Sequence, residues 1–173
     1  MRALEFWKAV TEDQANVLER VIALLTEHRI SFCVIGGHAV NAYVEPVVSL
    51  DLDLVVALDH LAEVESLFSR MGTVQRDAHS VNLSVPGSDL RVQIRRDPRY
   101  GSFVERASPR EVLGLVLPVA HIEDVLRSKV WAVQDAERRS SKRQKDLADL
   151  ARMLEAYPEL RSLVPQEVLK HLV

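Results

Sequence analysis

Asp51 and Asp53 are the residues of this chain best suited to chemistry. They stand one residue apart in Leu50-Asp51-Leu52-Asp53-Leu54-Val55-Val56-Ala57-Leu58. Leu50, Leu52, Leu54, Val56 and Leu58 alternate, as on a β-strand with one apolar face. Both carboxylates then share the other face, about 7 Å apart by strand rise. Val55 and Ala57 continue that face as apolar residues, so the acids are confined to the start of the strand. Two carboxylates so placed can share a divalent cation, Mg²⁺ or Mn²⁺, or a pair of them, and such ions keep positions open for triphosphate oxygens. The plainer alternative is the solvated face of an edge strand.

Gly36-Gly37 closes the apolar run Ile30 to Ile35, which reads as a buried strand ending in a tight turn. Backbone N–H groups exposed at such a turn, with a helix N-terminus behind them, suit phosphate oxygens. A simple strand-ending turn would look the same. Together, the glycines and the acids suggest metal-dependent phosphoryl or nucleotidyl transfer.

Several elements must position these groups. Thr11 and Gln14 form a capping-box pattern, and Val17, Leu18, Val21, Ile22, Leu24 and Leu25 follow helical spacing, so residues 12–28 are expected as one amphipathic helix. Residues 38–44 suit a short helix before Pro46, with His38 a polar residue at its start. Asp59 can cap a helix carrying Leu61, Val64, Leu67, Phe68 and Met71. Val81, Leu83 and Val85, then Leu90, Val92 and Ile94, alternate on either side of Pro86-Gly87-Ser88-Asp89, predicting a hairpin whose polar face carries Asn82, Ser84, Arg91 and Gln93. Residues 95–108 give no clear signal, and 115–119 suit a short strand or connector. Ile122, Val125, Leu126, Val130 and Val133 predict one helix, and Leu147, Leu150, Ala151 and Leu154 another that ends at Pro158; residues 166–172 could form a last short helix. The expected class is α/β (α+β), a small mixed sheet with flanking helices, with an α/β core over residues 1–120 and a helical part over 121–173 packed on it.

The chain has 173 residues, which suits one domain or one domain with a helical appendix. Hydrophobic residues make up 47% and charged residues 27%, as in a globular protein with its own core. The net charge of −3 implies that any contact with RNA or DNA is local. The lone cysteine, Cys33, can form no internal disulfide and lies in an apolar run, so it reads as a buried core residue. With no apolar h-region at the N-terminus and no membrane-length apolar stretch, a cytoplasmic location is the expectation.

Lys129 lies on the inward stripe set by Ile122, Leu126 and Val133, and an inward Lys needs an anionic partner. That partner is either a structural carboxylate or a phosphate or metal-site group. The basic stretch from Arg138 through Arg139, Lys142 and Arg143 to Lys145 is either a solvated segment or a phosphate-binding one. Asp146 and Asp149, three apart on one helix side, suit either surface ion pairs or the site.

The run Val34-Ile35-Gly36-Gly37-His38-Ala39-Val40-Asn41-Ala42-Tyr43, followed by Ser49-Leu50-Asp51-Leu52-Asp53-Leu54-Val55-Val56, resembles the signature of the polymerase-beta-type nucleotidyltransferases. It looks closest to their minimal and abortive-infection toxin-like members. Lys129, the basic stretch and Lys145-Asp146-x-x-Asp149 extend the likeness, which spans roughly residues 30–155. The resemblance implies a nucleotidyltransferase fold, with Asp51 and Asp53 as catalytic metal ligands for Mg²⁺ or Mn²⁺. It implies Gly36, Gly37, Ser49, Lys129 and Lys145 at the nucleotide phosphates, with Gln93, Arg91, Asp146 and Asp149 nearby. An NTP would donate the nucleotidyl group to a hydroxyl on RNA, a protein or a small molecule, and a cognate antitoxin or a second copy would be the partner. A catalytically degenerate nucleotide-binding or protein-interaction module on the same fold is the alternative.

Two departures from the family pattern stand out. The third carboxylate, on the following strand, is replaced by Gln93, a neutral amide that neither accepts a proton nor binds a metal ion as an acid does. Asp89, of the same parity but at the turn, and Asp97, beyond the strand, are the acids that could stand in. The Arg that often precedes the Ser/Thr-x-Asp-x-Asp element is absent from Pro46-Val47-Val48-Ser49.

Overall fold

The computed structural model describes residues 2–172. Seven strands form one sheet in the order β3-β4-β5-β2-β1-β7-β6. They are β1 (Phe32–Ile35), β2 (Asp51–Val56), β3 (Thr73–Arg76), β4 (Ser80–Ser84), β5 (Arg91–Arg95), β6 (Ser108–Val112) and β7 (Leu115–Val119). The β2/β5 and β1/β7 pairs are parallel and the other four antiparallel. β2, which carries the acids, is central.

Helices flank this sheet: α1 (Ala3–Val10), α2 (Val17–Glu27), α3 (Gly36–Asn41), α4 (Leu61–Ser69), α5 (Phe103–Arg106), α6 (Ile122–Gln134), α7 (Ser140–Ala156) and α8 (Gln166–Leu169). β1 is buried along its whole length and β2 from Leu52 onward, as apolar runs require in the middle of a covered sheet. Leu52 and Leu54 of β2, Leu126 of α6, and Leu150 and Met153 of α7 belong to one hydrophobic cluster, so the C-terminal helices close the same core as the sheet. Cys33 is in that core, and burial pushes its thiol up to about 12.

The N-terminal helix differs from expectation. The helix expected over residues 12–28 starts only at Val17, as α2; α1 was not expected, and residues 11–16 join the two, with Glu12 and Asn16 at positive φ. Thr11 ends α1 instead of opening a helix, its hydroxyl donating to Trp7 O at 2.9 Å. The N–H of Val17 is satisfied by Asp13, whose carboxylate accepts it at 3.0 Å. The segment is tied to the β4–β5 turn by Gln14 N donating to Gly87 O at 2.9 Å and Asp89 N donating to Thr11 O at 2.8 Å. Asp59 makes no side-chain cap; a short 3-10 turn leads into α4 instead. The hairpin is present as β4–β5, with Asn82 opposite Gln93. α7 begins at Ser140, so the basic stretch from that point is helical.

Candidate active site

The site forms where α3, the start of β2, β5 and the facing surfaces of α6 and α7 meet. Asp53 lies beside Ile35 of β1 on one side and Gln93 of β5 on the other, and Asp51 lies beside Arg91. Gln93 thus occupies the place next to the acid pair. Asp97 instead caps the 3-10 turn after β5, accepting from Arg99 N at 2.9 Å and pairing with the Arg99 side chain. Asp89 stays at the hairpin turn.

The glycines are required by contact. Gly36 has φ +69°, and a Cβ built there would overlap the Asp53 carboxylate, lying 2.9 Å from its Cγ. A Cβ on Gly37 would sit 2.6 Å from Ser49 Oγ. The turn therefore lies directly against the two residues that flank Leu50-Asp51-Leu52. Ser49 is held from behind by Trp7 of α1, whose indole N–H donates to Ser49 O at 2.6 Å. Trp7 also meets the His38 ring edge-on, at 5.5 Å between centroids. His38, the polar residue expected at the start of this helix, is only 2% exposed. Its burial pulls the imidazole down to about 4, against the opposing effect of the Asp53 charge.

Both carboxylates face protein cations. Asp51 Oδ1 pairs with Arg91 at 3.1 Å and its Oδ2 with Lys142 of α7 at 3.3 Å. Asp53 Oδ1 receives the Arg95 guanidinium at 3.4 Å. Burial disfavours the Arg95 charge, but Asp53 and its neighbours outweigh that and raise its pKa. A cavity of about 400 Å³ opens on this group, lined by Gly37, Ser49, Asp51, Asp53 and Gln93 and by seven Lys/Arg side chains, Lys145 among them. A second, of about 330 Å³, shares Asp53 and Arg95 and runs toward Tyr100 and Trp131.

Lys129 is 7% exposed and lies between Asp146 and Asp149, at 3.0 and 2.7 Å. Arg138 also reaches Asp146, at 2.7 Å, and Arg152 reaches Asp149, at 2.8 Å. Arg152 continues to Glu45 O at 2.6 Å, in the loop before Ser49. Lys145-Asp146-x-x-Asp149 thus has two faces: Lys145 borders the larger cavity, while the acids neutralise Lys129 and tie α7 to α6. Lys129 and Asp146 still line both cavities.

Arg95, Tyr100 and Trp131 were not singled out by the sequence as site residues. Parity alone signals Arg95, two positions from Gln93 on the same strand face. Nothing local signals Tyr100, which reaches the site from the segment with no clear pattern.

A family model described as the nucleotidyl transferase AbiEii toxin, type IV toxin–antitoxin system, matches residues 17–173. The chain belongs to this family. Among solved structures, it is similar to the antibiotic-resistance factor ANT(2'')-Ia, at 12% identity and TM-score 0.59, covering 91% of this chain and 95% of that one. It is also similar to the lincosamide antibiotic adenylyltransferase LnuA bound to lincomycin, at 12% identity and TM-score 0.56, covering 82% and 98%. An antigenic nucleotidyltransferase-like protein from Paracoccidioides brasiliensis matches at 18% identity and TM-score 0.53, covering 96% and 87%. These likenesses show the nucleotidyltransferase fold. No curated protein matches the chain. Among the described residues, no helix is long and apolar enough to cross a membrane.

Proposed function

We propose that this AbiEii-family protein transfers a nucleotidyl group from an NTP to a hydroxyl on RNA, a protein or a small molecule, with a divalent cation on Asp51 and Asp53. The observation that carries this reading is the cavity in which the acid pair, the Gly37 turn and Ser49 meet seven cationic side chains. Carboxylates recruit the metal ion and cations receive the triphosphate.

The donor set fits one hard divalent cation: two carboxylates on one strand face, with the Gln93 amide beside them. A bound Mg²⁺ or Mn²⁺ supplies positive charge and orientation to the triphosphate. In the transfer, the acceptor oxygen bonds to the α-phosphorus and the bond from that phosphorus to the α,β-bridging oxygen breaks. Pyrophosphate leaves. The hydroxyl proton passes to water in the open cavity, since Gln93 cannot accept it. With no carboxylate base on β5, positioning and charge stabilisation would carry the step. Arg91, Arg95 and Lys142 then turn from the carboxylates toward phosphate oxygens. Within a toxin–antitoxin pair, a cognate antitoxin would oppose this activity.

Gln93 also favours a second reading, a nucleotide-binding module that has lost turnover. Incubation with each of the four α-labelled NTPs, with Mg²⁺ or Mn²⁺, separates the two. The enzyme reading expects pyrophosphate release and label on an RNA, protein or small-molecule acceptor, lowered about 100-fold or more by Asp53→Asn. Bound but intact NTP in every case would leave only the module.

A further inference from the structure

Metal-dependent phosphoryl chemistry with a pair of ions needs donors enough to hold both, usually bridged by carboxylates. Here the acid pair has Gln93 at the adjoining register position on β5. Among the described residues, no three His, Cys, Asp or Glu side chains form a metal-binding group. Two carboxylates and a neutral amide are a poor cage for two dications: the acid pair offers them only two negative charges, and the rest would have to come from the nucleotide.

The same face carries positive charge of its own. Arg95 follows Gln93 by two residues, so its side chain leaves β5 on the same side. Its side chain is 24% exposed and its guanidinium stands 3.4 Å from Asp53. Its Nε is buried without a hydrogen-bond partner among the described residues. It lines both cavities, as Asp53 does. A half-buried guanidinium held by one long contact, with its Nε unspent, is poised for a further anion. Arg91 and Lys142 flank the other acid at 3.1 and 3.3 Å.

We propose that the site takes a single divalent cation and that Arg95, with Arg91 and Lys142, supplies the charge that a second ion would otherwise bring to the triphosphate. This rests on the functional reading above. Two carboxylates, four negative charges on the nucleotide, one dication and the cations Arg91, Arg95, Lys142 and Lys145 come to neutrality, and the cavity's other three Lys/Arg and four Asp/Glu side chains add −1. A second dication would leave the group positive in a partly enclosed cavity. Substituting a fixed guanidinium for an ion also makes the charge independent of the second ion's concentration.

The experiment counts Mn²⁺ bound per chain by electron paramagnetic resonance. The protein is saturated with an α,β-imido nucleoside triphosphate, each of the four bases taken in turn. One ion per chain is expected, and Gln93→Glu should bind a second. Arg95→Ala should weaken nucleotide binding at saturating Mn²⁺ at least tenfold, and Arg95→Lys should recover part of the loss. Two ions in the unmutated chain would overturn the single-ion proposal and leave the functional reading standing. No Mn²⁺ with any of the nucleotides would overturn the functional reading itself. Unchanged nucleotide affinity in a folded Arg95→Ala would remove Arg95 from the role. The ion count in the unmutated chain decides the proposal even if Arg95→Ala does not fold.

Discussion

The Asp53 carboxylate packs directly on the Cα of Gly36, with no room for a Cβ between them. The turn and the acid are thus one device: the backbone must take φ +69° and must lack a side chain for the acid to stand where it does. Gly36→Ala should therefore cost both the left-handed backbone and a displaced Asp53, about 2–4 kcal/mol together. In a chain of this size that is a fall of roughly 5–15 °C in the thermal midpoint. Gly87→Ala is the control. Gly87 also has positive φ, but its nearest contact would be 3.9 Å away, so only the backbone cost of about 1 kcal/mol applies. Equal melting points for the two variants would remove the steric argument.

Lys129 neutralises Asp146 and Asp149 in a place with little water. Lys129→Met should leave two buried carboxylates without their shared partner and cost about 3–5 kcal/mol by urea denaturation. Burial alone would raise the Asp149 pKa, but Lys129 and Arg152 overcome it and hold the carboxyl below the usual range. A depressed folded value gives stability that is full above the unfolded carboxyl value and is lost as pH falls through the folded one. Stability should therefore drop below about pH 4, and Asp149→Asn should flatten that limb. A Lys129→Met variant as stable as the parent would show that the pair adds nothing to the fold.

His38 gives a second, separable acid limb. Its imidazole is held down to about 4 from 6.5, mainly by burial. The unfolded chain then binds a proton that the folded chain refuses between those values, so stability should fall as pH is lowered through that window. The full effect is about 3 kcal/mol, at roughly 1.4 kcal/mol per pH unit. Urea midpoints at pH 7 and pH 5 should differ in the parent and much less in His38→Phe. An NMR titration of the His38 ring near pH 6.5 would contradict this account.

The parts of the fold written in strong periodicity were legible in the sequence. β2, the β4–β5 hairpin and α6 follow alternation or helical spacing, and burial of their apolar positions enforces it. β3 was missed because three of its four residues are exposed at a sheet edge, so no alternation is imposed. β6 was missed because it is largely exposed and holds Pro109, which weakens any strand signal. Residues 11–16 misled because Thr11 and Gln14 imitate a helix start, whereas Asp13 makes the cap from a loop braced on Gly87. At the site, hairpin parity put Gln93 on the polar face of its strand, while its place beside Asp53 was implied by the family resemblance and is set by the β2–β5 pairing. The cations that meet Asp51 and Asp53 come from β5 and α7, and only folding brings Lys142 beside a residue 91 positions earlier.

α1 lies outside the stretch matched by the family model, yet Trp7 supports Ser49 at the edge of the site. Trp7→Phe keeps most of the packing and removes the indole donor, so it should cost about 1 kcal/mol. Trp7→Ala should cost about 3–5 kcal/mol, because it also opens a cavity against His38. Thermal melts of the two variants check the order, and equal losses would assign the whole effect to the hydrogen bond.

The central claim is that Asp51 and Asp53 together hold a divalent cation and, through it, a nucleoside triphosphate. Calorimetric titration of an α,β-imido nucleoside triphosphate, each base in turn, tests it without knowledge of the acceptor. The parent should bind at least one of the four in the presence of Mn²⁺, and EDTA should abolish binding. Asp51→Asn and Asp53→Asn, which keep side-chain size and remove one charge each, should weaken that binding at least tenfold, or about 1.4 kcal/mol. Parent-like, EDTA-insensitive binding in both variants would contradict the account.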